Sequence, residues 1–435
     1  MIKKKVLVLL GMVLFFSTMS KAQAPWQPVW VQDTVNVSPG SITDVYYSFN
    51  NGISKAENNR NYHLAFSMSP IVDSAALWAN HQNGNNFTKV FHPHKDKSQF
   101  ASVGLADTTG ATILFNNDKG WYDGAFNHIY NADIFNFGWG TYNSTNHNVY
   151  GDSVFIVRAQ GTYFKLIIDS LNGINTTYYF RTENLSTPGS TNSYTITKSP
   201  KYSNSLFAYF NLNTGMDTLR EPASSSWDLL FTRYTTDALG SGQGTNNNVL
   251  GVLLNKGVKA SKAQGVLEDT AYDYRTTYTM DSLLSKIGYD WKVFDLASTS
   301  YFALDSLSYF VSDKSNTIWQ LDFLGYDLPS GLIDFRKRKV WALAVENLPS
   351  VLNNVAVAPN PVNDKMNIIL DSKNTQSVNV QVLDFQGRVL FSKTIKTQEG
   401  LNSFEIPVTM LSEGNYVLNL TGDAWHLSEK VTVRK

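Results

Sequence analysis

Two imidazoles stand two residues apart in the stretch FHPHKD, residues 91–96. On an extended segment His92 and His94 project to the same side. Two neutral imidazole nitrogens so placed suit a transition metal or a haem iron. His128, in WYDGAFNHIY, is a candidate second axial ligand, and Met68 offers a thioether. A solvated loop beside Pro93 accounts for the same pair without any metal, and a Met near a strand end serves equally as core filler. Six of the seven histidines (His63, His81, His92, His94, His128 and His147) fall in the first half of the chain, and the other, His426, lies near its end. The region from 199 to 348 has none, leaving only Met216 and Met280 as soft ligands there.

Other chemistry is thinly represented. The chain has no G-x-S-x-G elbow, H-E-x-x-H helix, phosphate-binding loop or dinucleotide fingerprint. Asp228 and Asp322 could form a hydrolytic carboxylate pair, yet any chain of this length supplies such pairs. Lys plus Arg equals Asp plus Glu at 36 each, so the formal charge is zero. That balance argues against a nucleic-acid partner, which rewards a basic surface. The expectation is a non-enzymatic protein with no certain cofactor.

The elements that must position these residues read as strands. At 435 residues, with 43 % hydrophobic and 13 % aromatic content, the chain is long enough for two to four packed domains. Short runs rich in Val, Ile, Tyr, Phe and Thr alternate with Asn-, Gly- and Ser-rich turns, which predicts an all-β protein with minor helix. Helix is predicted only around MDSLLSKIG (280–288) and, more weakly, SAALWAN (74–80).

Several segments occur twice in the same order. VYYSFNNG (45–52) precedes NYHLAFSM (61–68) as LFAYFNLNTG (206–215) precedes SSWDLLFTRY (225–234). In the last of these, alternation places Trp227, Leu229 and Phe231 on one face and Asp228, Leu230 and Thr232 on the other. Tyr62, Leu64 and Phe66 repeat the first set. Further on, DSVFIVRAQGTYFKLIIDSLNG (152–173) parallels DSLSYFVSDKSNTIWQLDFLGYDLPSG (305–331), preceded by Trp139 and Trp291 respectively. The order predicts two copies of one β-rich unit in tandem, 23–198 and 199–348.

WDLLFTRYTT, GVLLN (251–255) and the YFVSDKSNTIWQLDFLGYD strand pair resemble the HmuY-like proteins of Bacteroidota. The resemblance covers most of copy two and, more loosely, copy one. It implies secreted, all-β binding domains with haem or another small ligand. Its motifs are structural, and no haem ligand of the family maps onto this chain residue by residue.

Both ends of the chain carry addresses. Lys3–Lys5, the apolar run Val6–Phe16 and Ser20-Lys21-Ala22 read as a secretory signal peptide, 1–22, cleaved between Ala22 and Gln23. The apolar run is too short to span a bilayer, so the mature chain is expected to carry no integral membrane segment. No cysteine is present, so each domain must rest on its own core. After LPS (348–350) composition changes, and residues 352–435 predict an Ig-like β-sandwich with strands Met366–Leu370, Val378–Leu383, Arg388–Thr394, Asn402–Glu405, Gly414–Leu420 and Ser428–Val433. This segment resembles the type A C-terminal sorting domains of the type IX secretion system. The resemblance is carried by Pro359-Asn360-Pro361, Asp384 with Gly387, the stretch containing Gly414 and Tyr416, and the closing KVTVRK with Lys430 and Lys435. It implies the type IX machinery as partner and an extracellular or outer-membrane-surface destination.

Asp-Ser/Thr triplets also recur, including Asp33-Thr34-Val35, Asp152-Ser153-Val154, Asp281-Ser282-Leu283 and Asp305-Ser306-Leu307. They resemble the O-glycosylation acceptors of exported Bacteroidota proteins, and they also suit turns and helix caps. The functional expectation is an exported binding protein for haem or another small ligand. The alternatives are a structural, adhesive or glycan-contacting surface protein and, more remotely, a surface hydrolase.

Overall fold

The computed structural model describes residues 29–69, 75–82, 87–128, 135–236, 247–265, 279–340, 351–359, 361–384, 386–423 and 425–435. The signal segment, with Ala22 and Gln23, lies outside them. The described chain is nearly all β.

A short piece comes first: β1 (Val31–Asn36) and the hairpin β2 (Thr43–Ser48) to β3 (Gly52–Asn58). A long run follows: β4 (Leu64–Ser67), β5 (Leu77–Ala79), β6 (Thr88–Asp96), β7 (Thr112–Leu114), β8 (Gly140–Asn143), β9 (Asn148–Gly151), β10 (Ser153–Ala159), β11 (Thr162–Asn172) and β12 (Thr177–Asn184). Then comes a second short piece, β13 (Thr191–Thr197) and the hairpin β14 (Phe207–Asn211) to β15 (Met216–Thr218). The second long run is β16 (Leu229–Thr236), β17 (Asn247–Leu254), β18 (Lys259–Gln264), β19 (Lys292–Asp295), β20 (Ser300–Ala303), β21 (Leu307–Ser312), β22 (Ile318–Asp327) and β23 (Leu332–Lys339).

The two halves do not pair as consecutive units. The first hairpin joins the second long run, in the sheet β17-β16-β2-β3, and β1 lies on β23. The second hairpin joins the first long run, in the sheet β15-β14-β4-β5, and β13 lies on β12. One unit is therefore continuous, β4 to β15, and sits as an insertion inside the other, which is built from β1–β3 and β16–β23. The expected boundary at 198/199 falls between β13 and β14, both of which complete the continuous unit. Polar contacts fix this choice for the first piece. Lys337 on β23 donates to the Tyr47 hydroxyl and the Phe49 carbonyl and pairs with Asp33, and the Thr34 hydroxyl donates to Asp334 at 2.5 Å. The first long run has Thr182 where β23 has Lys337, by the register of β11 on β12 and β22 on β23.

The two units nonetheless share several local features. Both hairpins turn on a glycine at positive φ, Gly52 (+76°) and Gly215 (+67°), a conformation that costs glycine little. The β11–β12 and β22–β23 ladders carry a register shift at the same place, between Ile168 and Ser170 and between Phe323 and Gly325. Trp139 and Trp291 are both fully buried, each just before the hairpin that follows it.

Four β layers result. The outer sheet of the continuous unit (β6–β13) packs on β15-β14-β4-β5 through Phe66, Phe155, Ile168, Tyr178 and Phe210. The other outer sheet packs on β17-β16-β2-β3 through Tyr47, Phe231, Trp291, Phe323 and Phe335. The two inner sheets face each other through a third apolar layer, containing Tyr46, Ala65, Tyr209 and Leu230. Inner strands are thus buried on both faces, so LLFTRYTT is buried almost throughout rather than on alternate residues. Leu229 and Phe231 face their own unit's core, whereas Trp227, expected beside them, joins Leu230 in the layer between units. Tyr62 departs from Leu64 and Phe66 in the same way. Both residues precede the first paired residue of their strand, so strand alternation does not govern them.

Residues 280–288 are not helical. Asp281 and Gly288 bridge to Ala260 and Val252, and the Leu284 carbonyl accepts from Leu254. These backbone groups serve neighbouring strands, and a helix would have to take them back. Residues 77–79 form β5. Among the described residues, the only regular helical turns are short 3-10 turns such as Lys97–Ser102.

The tail forms a two-sheet sandwich: β24 (Leu352–Ala358), β25 (Lys365–Ser372) and β28 (Gly400–Pro407) face β26 (Gln376–Leu383), β27 (Val389–Thr397), β29 (Gly414–Thr421) and β30 (His426–Val433). All six expected strands are present, with β24 added. Its core is aliphatic, including Ile368, Val380, Leu418 and Val431.

Candidate functional site between the inner sheets

The seam between the inner sheets is close to two-fold symmetric at its centre. Register places Tyr46 opposite Leu230 and Tyr209 opposite Ala65, so the two tyrosines are equivalent; their hydroxyls lie 3.4 Å apart. Tyr46 meets Trp227 edge-to-face at 5.1 Å, and Tyr209 meets the equivalent Tyr62 at 4.8 Å. Phe49 donates its N–H to Asp228, and in the other unit Leu212 donates to His63. Asp228 and His63 hold the same position and accept the same kind of bond.

Away from that centre the symmetry ends. The Arg220 guanidinium pairs with Asp44 at 2.9 Å, both fully buried, and lies over the rings of Tyr62 (4.6 Å) and Tyr209 (5.0 Å). Thr232 donates to Asp44 at 2.7 Å, and Gln82 donates to Thr232 at 2.8 Å. Glu221 accepts from the Phe207 N–H and the Tyr209 hydroxyl, and burial pushes its carboxyl up to about 7. The loop 116–121 of the continuous unit reaches across. The Asn116 carbonyl accepts from Thr235, Asp118 accepts from Thr236, and the Trp121 indole donates to the Leu254 carbonyl.

Under this loop lies a cavity of about 60 Å³, walled by Trp78, Trp121, Tyr234 and Phe207. A space of that size holds a few waters or part of a small ligand. Three fully buried polar atoms among its lining residues have no hydrogen-bond partner among the described residues: His81 Nε2, Gln82 Oε1 and Arg220 Nε. Burial holds His81 down to about 4, so the ring is neutral at pH 7. Its Nδ1 bonds the Thr88 carbonyl at 3.2 Å, which makes Nδ1 the donor and Nε2 an acceptor. The residues around the cavity thus include two unsatisfied acceptors and one unsatisfied donor, among aromatic side chains. Neither His81 nor Gln82 was marked by any motif; the signal for them is burial of polar groups, which appears only with the fold.

The structure does bring the expected imidazoles together. His92 and His94 meet edge-to-face with centroids 4.8 Å apart, and His128 is close enough to affect His92 electrostatically. His92 is buried, and that burial lowers its pKa to about 4; His94 and His128 are exposed. His94 bonds Thr112 at 2.9 Å. Among the described residues no group of three or more His, Cys, Asp or Glu side chains is arranged to hold a metal ion. Met68 is fully buried in the core, and Met216 is exposed. The carboxylates weighed as a hydrolytic pair are engaged separately: Asp228 with the Phe49 N–H, Asp322 with Ser308 and Arg336.

In the tail, the segment after Pro361 and the closing strand meet at the β30 edge of the sheet. Val362, which follows Pro361, bridges in parallel to Val433 and donates to the Thr432 carbonyl. Pro359 and Pro361 are exposed beside the closing strand; Asn360 lies outside the described residues. Asp384 caps the turn through Gly387 (φ +80°), accepting from the N–H groups of Gln386 and Arg388. Gly414 opens β29, on which buried Tyr416 donates to the Ser412 carbonyl at 2.8 Å. Lys430 is exposed on β30, and Lys435 donates to the Thr409 carbonyl.

A search among curated proteins finds no match to the chain. Of solved structures, dimeric latent PorU from Porphyromonas gingivalis aligns over 82 % of this chain and 31 % of its own, at 13 % identity and a TM-score of 0.17. This chain thus spans about a third of the PorU chain. The BSP domain of a biofilm-associated protein aligns over 93 % of this chain and 81 % of its own, at 9 % identity and a TM-score of 0.16. At such scores neither alignment carries an argument. Among the described residues no helix is long and apolar enough to cross a membrane. Residues 356–434 match the family model described as "Secretion system C-terminal sorting domain", and with the edge geometry above this segment is a type IX sorting domain that directs the chain to the cell surface or the medium.

Proposed function

We propose that the four-layer body is a non-enzymatic binding protein that holds a small hydroxylated molecule in the seam between its inner sheets. The three unpartnered polar atoms on residues that line the seam cavity carry this reading, because buried polar groups are almost always paired. Two acceptors and a donor among aromatic side chains suit the hydroxyls and C–H faces of a sugar ring or polyol. This gives the glycan-contacting alternative a specific place. The resemblance of copy two to HmuY-like proteins, themselves small-ligand binders, agrees with a binding role.

Trp78 and Trp121 wall the cavity, so their emission reports its contents. The mature protein is titrated with glucose, galactose, mannose, N-acetylglucosamine and glycerol. A saturable change with one of them, abolished in Ala65→Leu, is expected. Ala65 lines the cavity and is the equivalent of Leu230, so a leucine there suits the strand while filling the space. No response to any probe, or a response retained in Ala65→Leu, would overturn the reading.

A second reading keeps haem or a metal ion at His92, His94 and His128, supported by the closeness of the three rings. It requires a saturable Soret shift with haemin that is lost in His94→Ala. Glycosylation is proposed at Ser282 and Ser306, which are exposed, rather than at Thr34, whose hydroxyl is bound to Asp334. A secreted form with the unmodified peptide mass would remove that idea.

A further inference from the structure

A second hollow, of about 350 Å³, opens at the corner of the discontinuous unit. Its floor is formed by Arg233 of β16 and Lys292 of β19, and its walls by Tyr289, Tyr301 and Tyr326. No carboxylate lines it among the described residues. Lys292 donates to the carbonyls of Leu250 (2.6 Å) and Tyr289 (3.3 Å), leaving its third N–H uncommitted among the described partners. Its ammonium also lies over the ring of Trp291 at 4.2 Å. The Arg233 Nε bonds the Asn248 amide oxygen at 2.5 Å, a neutral partner. Asp290, whose charge acts on Lys292, is hydrogen-bonded to Lys262 at 2.6 Å. Two cations are thus half-buried in one space with no carboxylate among its described lining residues, an arrangement that an anion would complete. On the rim, Ser41 is held at φ +54° within hydrogen-bond reach of Tyr326 (3.4 Å), a conformation rarely kept by a non-glycine residue without need.

The equivalent corner of the continuous unit shows that the fold does not require a hollow there. Register places Met68 at the position of Arg233, Gly140 at that of Lys292, Val149 at that of Tyr301 and Leu171 at that of Tyr326. Met68, Val149 and Leu171 belong to the packed core.

The geometry points to this hollow as a binding site for an anionic sugar, the acidic group held by Lys292 and Arg233 and the ring stacked on Tyr301 and Tyr326. Burial pulls the Lys292 ammonium down to about 7, consistent with a cation waiting for a counter-charge.

The test titrates the full mature protein calorimetrically with galacturonate, galactose 6-phosphate, galactose 6-sulfate and galactose. At least one acidic sugar is expected to bind, weakening as salt rises, with galactose at least tenfold weaker. The acidic arms distinguish carboxylate, phosphate and sulfate. Lys292→Met should abolish the preference for the acidic sugar over galactose, and Lys292→Arg should retain it. Tyr326→Phe keeps the stacking face and should bind within a few-fold of wild type, whereas Tyr301→Ala should lose about tenfold. Ala65→Leu, which fills the seam cavity, should leave this binding unchanged, so the two sites fail or succeed separately. Equal affinity for galactose, no binding by any acidic sugar, or full acidic preference in Lys292→Met would overturn the proposal.

Discussion

The same corner of the same fold is a packed core in one unit and a cationic hollow in the other. Trp139 and Trp291 mark the two corners, and the strands around them pair in matching register. In the continuous unit the corner positions hold Met68, Gly140, Val149 and Leu171; in the other unit the same register positions hold Arg233, Lys292, Tyr301 and Tyr326. Matching strand pairings thus carry different side chains at this corner. The difference lies in four side chains rather than in backbone, so it can be probed position by position.

The largest effects should come from the paired tryptophans. Trp139→Ala and Trp291→Ala should each cost about 3–5 kcal/mol in denaturant unfolding, as large aromatic truncations do. Trp139→Ala should be the worse, because Trp139 also donates to the Ala75 carbonyl at 3.0 Å, whereas Trp291 Nε1 has no partner among the described residues. The reverse order would weaken the view of the first corner as structural support.

Next comes the seam. Arg220→Met leaves Asp44 buried and unpaired and should cost about 3–5 kcal/mol, while the double variant Asp44→Asn/Arg220→Met should recover most of it. A double variant no better than the single one would mean that the pair is not the seam's main polar anchor.

The buried histidines of one unit and the buried Asp322 of the other should respond oppositely to acid. His63 and His81 of the continuous unit are held neutral by burial, with pKa values near 4 against 6.5 unfolded. The unfolded chain binds more protons between those values, so their contribution is present above pH 6.5 and lost as pH falls to 4. Asp322, in the other unit, is pushed by burial up to about 6. Its contribution has the opposite sign: it is present below the unfolded carboxylate value and lost as pH rises through 6. Hydrogen exchange between pH 7 and 4.5 should therefore show β4–β6 losing protection before β21–β23. Simultaneous loss would show that the interleaved units open as one.

The smallest effects concern the hairpin glycines. Gly52→Ala and Gly215→Ala should each cost about 1 kcal/mol in thermal unfolding through their positive φ. Gly215→Ala should cost more, because its new Cβ would lie 2.9 Å from the Tyr194 hydroxyl, whereas nothing lies within 4 Å at Gly52.

Much of this was legible in the residues. Short runs rich in β-branched and aromatic residues marked the strands, and the order of hairpin, aromatic strand and Trp recurs in both units. The tail was readable because its elements are local: a turn capped by Asp384, a Gly-led strand and a closing strand at the terminus. The faces of Leu229 and Phe231 followed from alternation, whereas that of Trp227 did not, since it lies before the ladder begins. The histidine cluster was visible as spacing. The seam cavity and the Lys292 hollow were not, because each is assembled from strands far apart in sequence.

Sequence alone thus determined the strand content and the export tag, both of which depend on side-chain order within short segments. Only the tertiary structure decided which hairpin completes which unit. An exposed strand edge accepts any partner with a compatible face, and the contacts that break the tie, Lys337 with Tyr47 and Asp33, join residues about 300 positions apart. The same long-range closure set which buried polar groups would find partners and which would not.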